Sequence, residues 1–98
     1  MPAYMVVQLK VTDPERFARY REAVPGVVEA FGGRYLVRGA QVEVLEGQHD
    51  GRRFVLFEFP SVEAVKRFWH SPEYAKVKPL RENAAEVDAW VVAGVGGQ

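Results

Sequence analysis

Seven residues, Arg53-Phe54-Val55-Leu56-Phe57-Glu58-Phe59, constrain most tightly what this chain can fold into. Their β-branched and aromatic content reads as a strand, closed by Pro60-Ser61. Both parities are apolar: Phe54 and Leu56 point one way, Val55, Phe57 and Phe59 the other. An antiparallel strand with one wetted face alternates between apolar and polar residues. This one therefore requires cover on both faces. A chain of 98 residues, 48% of them hydrophobic, has helices enough for one face only. A domain this small buries about 60–70% of the surface its unfolded form exposes. A second copy of the chain is the expected cover for the other face. The formal net charge of zero offers no repulsion against that association.

The remaining elements follow in order. Tyr4–Val11 alternates as a strand, with Met5, Val7, Leu9 and Val11 on its apolar side. Asp13-Pro14 is a helix start: the carboxylate caps an orphan amide, and proline suits the first helical position. Phe17, Tyr20, Val24, Val28 and Phe31 recur at helical spacing up to Gly32-Gly33, with a kink or restart expected at Pro25. Arg34–Arg38 reads as a strand, Gly39–Gln41 as a bend or bulge, and Val42–Glu46 as its extended continuation. Gly47–Gly51 is a polar turn leading into the apolar strand as a hairpin. Ser61 caps a helix carrying Val62, Val65, Phe68 and Trp69. Ser71-Pro72-Glu73 repeats the capping pattern and starts a second short helix bearing Tyr74, Val77 and Leu80, restarted at Pro79. Val87–Ala93 is the last strand, and residues 94–98 are expected to form a loose tail.

The order β-α-β-β-α-β in a chain of this length predicts one α+β domain over residues 1–98. The compact solution is a ferredoxin-like, four-stranded antiparallel sheet with both helices on one face. Right-handed crossovers put the first and third strands in the centre.

Composition narrows the chemistry. No cysteine is present, which removes disulfides, thiol nucleophiles and thiolate metal sites. The balanced charge gives no steering toward nucleic acid or an anionic membrane. No apolar run approaches ~20 residues, and no signal peptide is visible, so a cytoplasmic location is expected. The two histidines have no metal-ligand spacing, and no metal or cofactor is expected. His49 reads as a solvated turn residue. His70 reads either as a general base or as a polar helix end. Ser71 is explained by capping. Arg38 and Glu58 interrupt apolar strands, and Arg81 follows an apolar helical stripe. They read either as an ion pair, across the hairpin or at a subunit interface, or as a pocket whose Arg grips a ligand carboxylate or enolate. Tyr20, Tyr74 and Trp69 suit either core or pocket wall.

Several segments carry a family resemblance: Thr12–Tyr20, Phe31–Gly39, Leu45-Glu46-Gly47, Glu58–Ser61, Ser71–Tyr74 and Pro79-Leu80-Arg81. Together they resemble the bacterial family known as domain of unknown function 1330, over nearly the whole chain. The resemblance implies a dimeric α/β-barrel, in which two ferredoxin-like protomers pack sheet to sheet. The wider superfamily includes cofactor-free monooxygenases, lactone isomerases and haem-handling enzymes. It implies a pocket between sheet and helices, with Tyr20, Arg38, Glu58, His70, Tyr74 and Arg81 as candidate lining. The protein that follows is a small-molecule binder or a cofactor-independent enzyme. The alternatives are a non-catalytic dimeric module and, more remotely, a haem-handling protein.

Overall fold

Every α-helix of the chain begins where a side chain accepts one of its orphan amides. In the computed structural model, which describes residues 1–95, Asp13 Oδ1 accepts from the Arg16 amide at 3.1 Å and opens α1, Pro14–Ala30. Ser61 Oγ accepts from Ala64 at 3.0 Å and opens α2, Val62–Trp69. Ser71 Oγ accepts from Tyr74 at 3.0 Å and opens α3, Pro72–Val77. Both prolines expected at helix starts, Pro14 and Pro72, occupy the first turn. A 3-10 turn, Lys78–Arg81, follows α3, as the restart at Pro79 requires. α1 runs without a restart through Pro25. It ends in a Schellman motif, with Gly32 at φ +84° and the Gly33 amide reaching the Val28 carbonyl at 2.9 Å.

Four strands, β1 (Ala3–Val11), β2 (Arg34–Ala40), β3 (Arg53–Phe59) and β4 (Ala85–Ala93), form one antiparallel sheet in the order β2-β3-β1-β4. This is the ferredoxin-like α+β fold, with the apolar strand β3 and its neighbour β1 in the centre. Pairing of Met5 with Phe57 and Val91, and of Val7 with Val55 and Ala89, sets one face of the sheet. That face meets the helices. Phe57, Phe59, Met5 and Ala3 pack there with Val24, Val28, Val65, Phe68 and Tyr74. Tyr74, Phe59, Phe68 and Val28 are fully buried.

The opposite face carries Val6, Phe54, Leu56, Trp90 and Val92. Val6, Phe54 and Leu56 are half-buried, and Trp90 and Val92 remain 46% and 49% exposed. No described helix covers this apolar surface. The segment expected to extend β2, Val42–Glu46, does not join the sheet. Gly39, at φ +74°, lies where the register against β3 slips, and the bulge expected there ends the strand. The connection then leaves Leu45 wholly exposed. It returns to the sheet through His49, whose Nε2 lies 2.6 Å from Gln8 Oε1. Arg52 also anchors it, reaching Asp88 at 2.6 Å. His49 is thus docked on the sheet rather than solvated. At the far end, Gly94 donates to the Pro2 carbonyl at 2.8 Å, so the first residue of the expected tail is tied down. Residues 96–98 lie outside the described residues. No described helix is long and apolar enough to cross a membrane.

The buried aromatic centre predicts an asymmetry of stability. Phe68→Ala should cost about 3–5 kcal/mol in urea unfolding. Leu45→Ala should change stability by no more than about 0.5 kcal/mol.

Candidate functional site

Between the sheet and α1 lies a cleft of about 920 Å³. Its floor is the helix-side face of the sheet: Met5, Val7, Val55, Phe57, Val87 and Ala89. Phe17, Tyr20, Val24 and Pro25 of α1 form its far wall, and Trp69, Tyr74 and Arg81 add lining from the second half of the chain. The connection before β3 contributes Asp50, Gly51 and Arg52 at one edge.

Tyr74 is placed by the Ser71 cap. The Ser71 hydroxyl also donates to the Phe68 carbonyl at 2.8 Å, which spends it structurally and leaves no free nucleophile. The Tyr74 ring packs on Phe68 and Trp69, with centroids 4.6 and 5.2 Å away. Its hydroxyl meets that of Tyr20 at 2.8 Å, so α3 and α1 join at the head of the cleft. Arg81 extends over the Tyr20 ring, 5.7 Å from its centroid. The Arg81 Nε is buried and has no hydrogen-bond partner among the described residues. Burial pushes the Tyr20 phenol well above its ordinary range; Tyr74 adds to this and Arg81 opposes it.

Arg38 reaches the cleft through an irregularity in β2. Tyr35 lies opposite Phe57, Val37 opposite Leu56 and Arg38 opposite Val55. One extra residue between Tyr35 and Val37 therefore reverses the alternation. Tyr35 and Arg38 come to the same side, and the guanidinium stacks 4.1 Å from the Tyr35 ring centre. Burial raises the Tyr35 phenol above its ordinary range, with Arg38 pulling against it.

Of the six candidates, Tyr20, Arg38, Tyr74 and Arg81 line one cleft. Glu58 and His70 do not join them. Glu58 pairs in register with Tyr4 and so faces away from the helices. There it forms an ion pair with Arg34 at 2.7 Å, across the hairpin. His70 is the exposed C-terminal cap of α2. Trp69 does line the cleft, and so do Tyr35, Arg52 and Arg53, which the sequence alone did not single out. Tyr35 is hidden by the β2 irregularity, because strict alternation puts it opposite Arg38. Among the described residues no cluster of three or more His, Cys, Asp or Glu could hold a metal. Asp50, the one carboxylate lining the cleft among the described residues, accepts from the Arg52 amide at 3.2 Å and guanidinium at 2.7 Å. These contacts hold its carboxyl below the usual range, and so weaken it as a base.

Tyr20 allows a test of this geometry. Its folded-state pKa lies above the unfolded value, so its contribution to stability is intact below about pH 10. That contribution is lost as pH rises further, because the unfolded chain ionises first. Stability should fall above about pH 10, and Tyr20→Phe should make the fall shallower in alkaline urea titrations. At neutral pH the same change should cost about 1–3 kcal/mol, by leaving the buried Tyr74 hydroxyl unpaired.

Solved structures share this architecture. A protein of unknown function from Rhodopseudomonas palustris superposes with a TM-score of 0.74 at 20% identity, covering 97% of this chain and 83% of its own. A cofactor-independent oxygenase from Streptomyces nogalater gives 0.68 at 12% identity, covering 97% of this chain and 94% of its own. A dimeric ferredoxin-like protein of unknown function from Jannaschia sp. CCS1 gives 0.66 at 11% identity, covering 96% of this chain and 100% of its own. At such identities the likeness establishes the fold alone. No curated protein matches the sequence. The family model described as Domain of unknown function (DUF1330) matches residues 2–95, and the chain belongs to that family.

Proposed function

We propose that the protein binds a small organic molecule in the cleft between sheet and α1, and works as a homodimer joined through the opposite face of the sheet. The cleft carries this reading. Its volume of about 920 Å³ lies within the ~300–1,000 Å³ of small-molecule sites. It joins an apolar floor to the few convergent polar groups, Tyr20, Tyr74 and Arg81, that fix orientation in such sites. The exposed apolar outer face, with Trp90 and Val92, supports the dimer, as does the dimeric state of the Jannaschia protein.

If the protein is an enzyme, it is a cofactor-independent one, in keeping with the Streptomyces oxygenase of the same fold. In such an enzyme the site's task is to stabilise the charge that develops on the substrate. One observation favours the second reading, a non-catalytic binding module. The cleft presents no free general base: the histidines lie outside it, and Asp50 is tied to Arg52. The location of both histidines also counts against an imidazole-ligated haem in the cleft.

Two measurements test the proposal. Ligands entering the cleft should quench Trp69 and not Trp90, so the response should survive Trp90→Phe and vanish in Trp69→Phe. Val55→Trp, which fills the floor, should abolish binding; an unchanged affinity would remove the cleft as the site. In sedimentation the chain should run at twice its 11.0 kDa mass, and Trp90→Asp should convert it to the single-chain species. A wild-type protein found only as the single chain at micromolar concentration overturns the dimer.

A further inference from the structure

Hydrogen bonding at the head of the cleft is out of balance. The contact between the Tyr20 and Tyr74 hydroxyls uses one of two phenolic hydrogens. Arg81 brings only more donors, and its buried Nε–H is unspent among the described residues. A buried polar group without a partner is costly, and what this cluster lacks is an acceptor.

Charge points the same way. The whole sequence has 13 cationic and 13 anionic side chains. Six of those cations line the cleft (Lys10, Arg21, Arg38, Arg52, Arg53 and Arg81); Arg52 is balanced by Asp50 and Asp88, which leaves five. A chain with no net charge has therefore concentrated positive charge around one apolar cavity, where low-dielectric walls focus its field.

We infer that Tyr20, Tyr74 and Arg81 form an oxyanion receptor, and that the ligand is a largely apolar, ring-containing molecule bearing one carboxylate or enolate. This rests on the small-molecule reading of the cleft and specifies its ligand class. The apolar body lies on Val7, Val55 and Phe57. The oxyanion accepts from the Arg81 guanidinium and from whichever phenol is not donating to the other. Arg38, stacked on Tyr35, attracts the anion toward the cleft. A guanidinium suits the inner position because it stays charged when buried and presents its donors in a fixed plane. Burial of the Tyr20 phenol keeps it protonated, and so able to donate, across the neutral range.

The test compares 2-naphthoate with its neutral isostere 2-naphthamide by calorimetry. The wild type should bind the carboxylate at least about tenfold more tightly, because charge-assisted hydrogen bonds are roughly twice as strong as neutral ones. Arg81→Met should abolish that preference, weakening the carboxylate far more than the naphthamide, whose carbonyl accepts only a weaker hydrogen bond from the guanidinium. Arg81→Gln provides a second variant if the first does not fold. Arg81→Lys should recover only part of the preference. Equal affinity of the wild type for the two compounds overturns the oxyanion receptor and leaves the small-molecule site standing. A preference that survives both Arg81→Met and Arg81→Gln but disappears in Arg38→Met overturns the assignment to this cluster. Absence of binding by either compound, together with no effect of Val55→Trp on any Trp69 response, overturns the cleft and the inference together.

Discussion

The packing of Tyr74 is the contact on which the rest of this structure depends. Its ring fills the gap between Phe68 and Trp69, and its hydroxyl reaches Tyr20 on the far helix. α3 contains only six residues, too few to be stable alone. It persists because Ser71 and Pro72 set its start and because this side chain is wholly buried. Without Tyr74, α1 would lose its hydrogen bond to α3, and the cleft would lose part of its wall. Structure and site therefore share one residue. That explains why an aromatic with a polar tip stands where a leucine would pack as well.

β3 serves two surfaces of the sheet with alternate residues. Val55 and Phe57 face the helices and the cleft, while Phe54 and Leu56 face outward. A single strand thus supplies the floor of the cavity and the middle of the uncovered apolar surface. In the centre of the sheet it is hydrogen-bonded on both sides, so neither face can shift without disturbing the other.

Local features of the fold were legible in the sequence because their physics is local. Asp13, Ser61 and Ser71 cap as expected, since a cap needs only the next three residues. The Gly32 stop and the Gly39 bulge require only a positive φ. Long-range register was not legible. The extra residue between Tyr35 and Val37 has no glycine or proline to mark it, yet it decides that Arg38 faces the cleft. Glu58 looked like a partner for Arg38 because both interrupt apolar runs, but pairing with β1 turns it outward to Arg34. His49 looked solvated because its neighbours are polar; its contact with Gln8 spans 41 residues, and nothing near it announces one. Of the cleft lining, Tyr20 and Tyr74 were readable from helical spacing, and Arg38 and Arg81 as charges set against apolar patterns; Tyr35 and Arg53 were not.

The long connection between β2 and β3 has a consequence for engineering. It is anchored near β3 by His49 and Arg52, and at its outermost point Leu45 touches solvent on all sides. Across the sheet, Pro2 and Gly94 are hydrogen-bonded neighbours. Linking Gly94 to Pro2 by a short segment and reopening the backbone beside Leu45 would give a circularly permuted domain with every strand pairing retained. In that rearranged order β3, β1 and β4 would lie on one side of the cut and β2 at the other terminus, making Arg38 and its strand a separable piece that could be supplied in trans.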